Sequence, residues 1–352
     1  MKIINNCFEK IITPKNLWRA WKVYRAGKRE RLAVLDFEKN LEENLLKIYN
    51  DLKNDSYKHG GYYKFVVHDP KRRLISAPSI RDHIVHQAIC NILIPYFEKK
   101  FSPFSFSCRN GRGTSGAIKK FKEHLRSASQ NGCQDCWILH GDIEKCFDSI
   151  DHNILLIILK QRIYCYQTIK LLKQVIDSYD SGWRFNFNEN EIKRGIPLGN
   201  LTSQLFINIY LNSLDQFVKE KLFVGKYVRY ADDFLIVVNS KGQAEKIAVV
   251  IRNFLQKILN FNFPLSHQLI VSLRRGVEVL GIKFLPTYQK TRPSTWKRIF
   301  RKFIFKTKQY QQKTLNIEGL NAVWQSYRGL LSNGNNYKIK NKLLTIVNFY
   351  AR

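Results

Sequence analysis

Lys226-Tyr-Val-Arg-Tyr-Ala-Asp-Asp-Phe-Leu-Ile-Val-Val238 sets two β-prone apolar runs on either side of adjacent acids, Asp232 and Asp233. The pattern predicts a hairpin with the acids at its turn. Turn chemistry accounts for one Asp, which tolerates tight turns. Two neighbouring carboxylates repel unless a cation lies between them or water separates them. A solvated acidic turn is the plain alternative. A third acid and a surface for polyanions would separate the two readings.

The charge supplies the surface. Lys and Arg number 59 against 28 Asp and Glu, a formal net charge of +31. Such an excess drives a compact chain apart unless a polyanion neutralises it. Nucleic acid is the polyanion this favours, ahead of a membrane surface. No lipidation signal stands out, and no apolar run reaches spanning length, Ile154-Leu-Leu-Ile-Ile-Leu159 being one of the longest. No membrane partner is expected. Met1-Lys-Ile-Ile-Asn-Asn-Cys lacks a signal-peptide core, so the expected place is the cytoplasm. At 352 residues and 44% hydrophobic, the chain has material for two or three domains with a sizeable core, which excludes a disordered tail. The seven cysteines are odd in number and scattered, which points to reduced thiols. Cys133-Gln-Asp-Cys136 has the spacing of half a zinc site. No second pair follows, so core or loop thiols are expected.

Residues 1–60 read as helical and basic, with an amphipathic helix over Leu32 to Leu52 and a phosphate-contacting face over Lys22 to Arg31. Tyr62-Tyr-Lys-Phe-Val-Val67 and Arg72-Arg-Leu-Ile-Ser-Ala-Pro78 predict two strands joined by a turn at His68-Asp-Pro-Lys71. A ribbon rich in Lys and Arg suits gripping phosphates. A solvated basic hairpin competes with that reading. Helices follow over residues 79–100 and Ala117 to Leu125.

Cys136-Trp-Ile-Leu-His-Gly-Asp142 predicts a short apolar strand ending in the third acid. A carboxylate there is costly unless a cation or donors meet it. Lys193-Arg-Gly-Ile-Pro-Leu-Gly-Asn-Leu-Thr-Ser-Gln204 is a Gly/Pro turn feeding a helix through Lys221, with Thr202 or Ser203 as its cap. Gly195, Pro197 and Gly199 stand so close together that they suit a floor which something else approaches. Leu269 to Leu285 reads as two strands joined at Arg274-Arg-Gly276. Residues 286–352 carry fourteen Lys and Arg against the single acid Glu318. Three carboxylates from separate strands beside a basic surface fit phosphoryl transfer with two Mg²⁺ ions. Nucleases use similar clusters, so the acids alone do not separate cutting from copying.

In order along nearly the whole chain, these segments resemble the reverse transcriptases. Asp142-Ile-x-x-x-Phe147 resembles the first catalytic motif of that family, Gly199-x-x-x-Ser203 the second and Tyr230-Ala-Asp-Asp233 the third, while Val277-Glu-Val-Leu-Gly281 resembles the strand before the thumb. The resemblance implies an α+β right-hand polymerase of fingers, palm with antiparallel sheet, and helical thumb. It divides into an N-terminal basic segment (1–60), fingers (61–134), palm (135–284, with a fingers insertion near 160–195) and thumb (285–352). Asp142, Asp232 and Asp233 would be the metal-holding acids, with the main chain of Ile143 beside them. The ions would be two Mg²⁺, with Mn²⁺ as a substitute. Arg73 would hold the triphosphate, and Leu198 and Gly199 would lie at the nascent pair. Phe147 would sit under the sugar and exclude a 2′-hydroxyl. The implied partners are template RNA, cDNA and dNTPs.

Within the family, apolar-Gly-x-x-x-Ser-Gln at Leu198 to Gln204 resembles the reverse transcriptases of diversity-generating retroelements. Tyr57-Lys-His-Gly60, His68-Asp-Pro-Lys-Arg-Arg73, Arg81-Asp-His-Ile-Val-His86, Ser326-Tyr-Arg-Gly-Leu-Leu and Gly334-Asn-Asn-Tyr337 resemble that branch too. It implies a bacterial or phage-encoded enzyme, errors opposite template adenine and a small basic accessory protein. Leu in place of a Gln near the nascent pair removes a hydrogen-bonding side chain and would loosen base selection. Relatives place a Lys after the long helix, where it can protonate the leaving pyrophosphate. Here Pro264-Leu-Ser-His-Gln-Leu269 has none, and His267 is the nearest candidate acid, a loop His without catalytic weight being the alternative. An antiviral defence enzyme with a dedicated noncoding RNA, and a non-catalytic RNA-binding protein on a polymerase fold, are the other readings.

Overall fold

A hairpin does form at the paired acids, inside an α+β chain that divides into two compact units. The computed structural model describes residues 4–68, 72–183 and 192–350. The first unit takes Met1–Pro103, Ile143–Lys221 and Ile251–His267, and the second takes Phe104–Asp142, Leu222–Val250 and Gln268–Arg352. The backbone therefore passes from one to the other between Asp142 and Ile143. Among the described residues no helix is long and apolar enough to cross a membrane.

The first unit is mainly helical. It begins with α1 (Cys7–Ile12) and α2 (Pro14–Arg25), the latter opened by Pro14 and capped by Thr13, which accepts from Asn16 N. The helix expected over Leu32 to Leu52 is two, α3 (Leu32–Lys39) and α4 (Leu41–Lys53). The break falls at Asn40, which leaves helical geometry at φ −120°. Asn resists a helix interior because its side chain competes for backbone groups. The apolar stripe is accordingly divided: Ile48 and Leu52 are buried, whereas Leu35 and Leu46 are exposed.

The basic ribbon forms as its alternation predicts. Strand β1 (Tyr62–His68) runs antiparallel to β2 (Arg72–Pro78), from Tyr62 opposite Pro78 to His68 opposite Arg72. The expected turn at residues 69–71 lies outside the described residues. Helix α5 (Ile80–Glu98) follows, with Ser79 as its N-cap, and buries Ile84, Val85, Ala88, Ile89, Cys90 and Leu93. Burial around so much of its surface marks a central helix. Two further helices are α8 (His152–Lys160), capped by Asp151, and α9 (Tyr166–Asp177). Helix α10 (Leu201–Gln216) buries Phe206, Ile209, Tyr210 and Leu214 as expected. Its cap is Asn200, not Thr202 or Ser203; both hydroxyl residues lie buried inside the first turn.

The second unit centres on β3 (Trp137–Asp142). It pairs antiparallel with β5 (Asp233–Val238) on one side and β6 (Gln268–Ser272) on the other, and β4 (Tyr227–Tyr230) completes the order β4-β5-β3-β6. Helix α6 (Thr114–Ala128) covers one face, where Ile118, Phe121 and Leu125 join Ile138, Val228, Leu235 and Val237 in one core. Helix α11 (Lys241–Lys257) spans the boundary between the units. The two strands expected over Leu269 to Leu285 are in fact three, in two sheets. After β6 the chain makes a 3₁₀ turn at Leu273–Arg275, then forms β7 (Val277–Val279) and β8 (Ile282–Phe284), which pair with β9 (Gln289–Thr291) in a separate sheet. Leu280 and Gly281, at φ 49° and 81°, make the tight turn between β7 and β8. That conformation is disfavoured for Leu, so composition hides it.

The C-terminal part is the helical array α12 (Pro293–Gln311), α13 (Ile317–Leu331) and α14 (Tyr337–Tyr350). Ile299, Phe303, Leu320, Leu331 and Leu343 form its core, and Lys297, Arg301 and Lys308 remain exposed.

Two measurements check this packing. The ring of Phe234 lies over Gly141 across the β3–β5 ladder, and a Cβ on Gly141 would stand 2.2 Å from it. Phe234 is fully buried and has nowhere to retreat. Gly141→Ala is expected to lower stability by about 2–3 kcal/mol, read as the urea midpoint at constant m-value. In the first unit, burial and the charge of Lys28 hold the His83 imidazole down to about 4, from an ordinary 6.5. The unfolded chain therefore takes up a proton before the folded one does. The stability this group contributes is complete above its unfolded value of 6.5 and is lost as pH falls toward about 4. Urea midpoints measured across that window are expected to fall less steeply in His83→Gln than in the parent.

Candidate active site

Strands β4 and β5 are joined by a loop of two residues, Ala231 and Asp232, with Tyr230 opposite Asp233. Ala231 sits at φ 55°, a left-handed conformation that costs roughly 1–2 kcal/mol for a residue with a Cβ. Arg229 holds it there. This side chain is fully buried, and its Nη1 donates to the Ala231 carbonyl at 3.0 Å. Its backbone is pinned as well: Arg229 N donates to Phe104 O at 2.8 Å, and Phe106 N donates to Arg229 O at 2.9 Å. The acidic loop thus has a rigid foot.

Across the ladder from that loop, Asp142 stands opposite Asp233. Asp142 is exposed, and Asp232 and Asp233 are half-buried. Like charges on facing rungs destabilise a sheet. A donor meets the charge on Asp233, whose Oδ1 lies 2.9 Å from His140 Nε2. His140 and Asp142 are two apart on β3 and therefore share a face. That alternation was readable in the sequence, and His140 was missed because no motif names it. Nothing in the sequence marks Arg229 as buried, since Arg is almost never fully buried unless paired.

Among the described residues, no three His, Cys, Asp or Glu side chains are grouped to cage a metal by themselves. Mg²⁺ does not ask for such a cage, because it is commonly held by one or two carboxylates plus phosphates of the substrate. The hard oxygens of Asp142, Asp232 and Asp233, with two like charges opposed on one ladder, fit that ion. Of the Cys133-Gln-Asp-Cys136 pair, Cys133 is exposed and Cys136 buried.

The remaining expected residues lie in the first unit, and most of them meet around β2. Arg73 is exposed on β2 opposite Val67. Three rungs on, Ser76 N donates to the Leu198 carbonyl at 2.9 Å. Gly199, at φ 123°, rests against the same strand; a Cβ there would stand 3.0 Å from Ile75 Cγ2 and 3.2 Å from the Ser76 carbonyl. The Gly/Pro run is therefore stacked directly on the ribbon. Its other end meets Phe147, which lies half-buried in α7 (Cys146–Ser149) and whose carbonyl accepts from Ile196 N at 2.8 Å. Arg73, Phe147, Leu198 and Gly199 thus belong to one hydrogen-bonded assembly. The side chain of Ile143 is buried. His267 ends the 3₁₀ turn Leu265–His267, directly before β6, and is half-buried.

The family model described as reverse transcriptase (RNA-dependent DNA polymerase) matches residues 58–284. Protein YkfC of Escherichia coli (strain K12) is 26% identical over 249 residues, covering 61% of this chain and 64% of YkfC. The group II intron-encoded protein LtrA of Lactococcus lactis subsp. cremoris is 28% identical over 180 residues, covering 50% of this chain and 28% of LtrA. The chain thus spans less than two thirds of either relative's length. Among solved structures, telomerase from Candida albicans in complex with a fragment of telomeric RNA aligns with a TM-score of 0.50 at 14% identity, over 89% of this chain and 64% of that one. Apo telomerase from Candida tropicalis aligns with a TM-score of 0.51 at 13% identity, over 72% and 53%. At such identities the likeness shows the fold, that of the right-hand polymerases. With more than half of its residues matched by the family model, the chain belongs to the reverse transcriptase family.

Proposed function

We propose that this protein is an RNA-directed DNA polymerase that copies a template RNA into cDNA by nucleotidyl transfer. The observation that carries the reading is the pair Asp142 and Asp233 on facing rungs, with Asp232 in the adjoining loop braced by Arg229. Opposed carboxylates at the end of a ladder repel each other, and a divalent cation would relieve them. Asp142, Asp232 and the Ile143 carbonyl would hold two Mg²⁺ ions, or Mn²⁺ in their place, with Asp233 beside them. When bound, such ions activate the attacking oxygen and stabilise the charge on the leaving one.

The chain's own groups do the rest. His140 orients the Asp233 carboxylate through the 2.9 Å hydrogen bond. Arg73 holds the triphosphate of a dNTP, a task suited to a guanidinium, which binds phosphate oxygens two at a time. The ring of Phe147, fixed through its backbone to Ile196, closes the space a 2′-hydroxyl would need. His267, when protonated, gives a proton to the departing pyrophosphate. The exposed cations of α12, with the Lys22 to Arg31 segment, bind template and product by counterion release.

The finer reading is a diversity-generating retroelement enzyme with a small basic accessory protein. Its support is Leu198, whose backbone is stapled to Ser76 and whose side chain offers the nascent pair no hydrogen bond. Weaker selection against wrong pairs follows, with the effect expected opposite template adenine.

Primer extension on an RNA template tests both levels. Wild type is expected to extend with dNTPs, and the sequenced product to carry errors concentrated at template adenines; a protein inert with every nucleotide sinks the polymerase reading, and uniform errors sink the finer one. Asp142→Asn and Asp232→Asn should each cut extension by roughly 10²–10³-fold or more. Without divalent metal, Asp142→Asn should unfold at a higher temperature than wild type, because the repulsion with Asp233 is gone. Phe147→Ala should narrow the preference for dNTPs over rNTPs by about 10- to 200-fold, read as the ratio of kcat/KM values.

A further inference from the structure

Two histidine-bearing stretches, Tyr57-Lys-His-Gly60 and Arg81-Asp-His-Ile-Val-His86, have no part in the proposed chemistry, yet they close on each other. Asp82 is the knot. Its buried carboxylate accepts from the Tyr57 hydroxyl at 2.8 Å, Gly60 N at 3.1 Å and the Ser79 hydroxyl at 2.7 Å. A Cβ on Gly60 would stand 2.9 Å from Asp82 Oδ2, so a larger residue would push this clasp apart. The clasp fixes the Gly60 carbonyl, and a directed chain of hydrogen bonds starts there.

His59 Nδ1 lies 2.6 Å from the Gly60 carbonyl. A carbonyl only accepts, so Nδ1 carries the proton, and in the neutral ring Nε2 is an acceptor. His86 Nε2, 3.0 Å away, must then donate to it. That leaves His86 Nδ1 as an acceptor, and the Thr202 hydroxyl donates to it at 2.6 Å. This direction belongs to a neutral His59, whose Nε2 also lies 3.4 Å from the Tyr62 hydroxyl. His86 is fully buried, and burial with the neighbouring His59 and His83 keeps it neutral, as the chain requires. The ring of His59 is steadied from outside by stacking on Tyr62, centroids 5.0 Å apart.

Thr202 lies in the first turn of α10, directly after the Leu198–Gly199 turn. The start of that turn is pinned by Ser76 N on the Leu198 carbonyl, and its end by His86 on Thr202. The middle does not hold itself. Asn200 holds the buried N-cap position of α10 without a side-chain cap hydrogen bond, and its Oδ1 has no hydrogen-bond partner among the described residues. Its Nδ2 reaches the Tyr62 hydroxyl only at 3.5 Å. An apolar contact between α5 and α10 would tolerate sliding. A short hydrogen bond to a ring whose plane is set from its far side does not.

We propose that the His59–His86 pair is a positioning device for the incoming nucleotide, acting through Thr202 to set the pose of the Leu198–Gly199 turn. The proposal rests on the polymerase reading above. It makes His59 and His86 positioning residues, whose loss weakens nucleotide binding and leaves the chemical step in place.

The test is single-nucleotide incorporation on a primed RNA template with Mg²⁺ and dATP or dTTP, beside amide hydrogen exchange over residues 199–204. Thr202→Val keeps the shape and removes the hydroxyl; Thr202→Ser keeps the hydroxyl. Thr202→Val should raise KM roughly tenfold with kcat within about twofold, and speed exchange in the turn, while Thr202→Ser stays near wild type. His59→Phe retains the stack on Tyr62 and removes the acceptor. It should shift KM in the same direction by about threefold, so a Thr202→Val protein that fails to fold leaves this arm decisive. Equal behaviour of the Val and Ser variants, unchanged KM in His59→Phe, or kcat falling in step with KM overturns the proposal. Wild type that extends no primer sinks the polymerase reading instead. The exchange rates of Thr202→Val against Thr202→Ser then still decide whether the pin holds the turn.

Discussion

Repulsion between Asp142 and Asp233 is the constraint on which the acidic end of the second unit is built. Two carboxylates on facing rungs oppose the pairing that brings them together. The ladder holds because everything behind them favours it. Ile138, Val228, Leu235 and Val237 are buried in one core with α6, and Phe234 closes over Gly141. Apolar burial at about 25 cal/mol per Å² easily exceeds the repulsion of two partly solvated charges. The sheet can therefore carry an unfavourable pair at its end, where a reacting group can reach it. The proposed function would give that cost a use, as when a rigid scaffold supports a site that lowers stability.

Supporting contacts at this end share one character. They are hydrogen bonds from buried or half-buried polar groups to backbone or carboxylate oxygens. Arg229 holds the Ala231 carbonyl, and His140 holds Asp233. In the first unit, Ser76 holds Leu198, and His86 takes the Thr202 hydroxyl. Apolar packing gives both units their cohesion but tolerates small slides. Directed hydrogen bonds remove that freedom at Ala231, Asp233, Leu198 and Thr202.

Charge works at longer range. The net +31 is a burden on the folded chain alone, which a bound polyanion would relieve. The chain belongs to the reverse transcriptase family, and part of the excess is carried by exposed cations of α12. The chain spans 64% of YkfC and 28% of LtrA, so what those proteins do as wholes is a separate matter from what this unit of fold provides.

Local pattern alone determined a good deal. The alternation in Tyr62 to Val67 and around Tyr230 to Val238 specified strands, and the helical spacing in α5 and α10 specified helices. Asp142, Asp232 and Asp233 were singled out because acids at strand ends are conspicuous, and the Gly/Pro run because Gly195, Pro197 and Gly199 are too close for ordinary structure. Elsewhere local signals misled. A Leu in a left-handed turn hid the hairpin of β7 and β8, an Asn split an apparently continuous helix, and two hydroxyl residues looked like caps although Asn200 held that place. Only the tertiary structure decided that Asp233 finds His140, 93 residues away, and that Thr202 finds His86, 116 residues away. The physical reason is range. Propensity and periodicity are properties of neighbours along the chain, whereas a buried polar group is satisfied by whatever donor the packing of remote elements delivers, and no short stretch of sequence contains both partners.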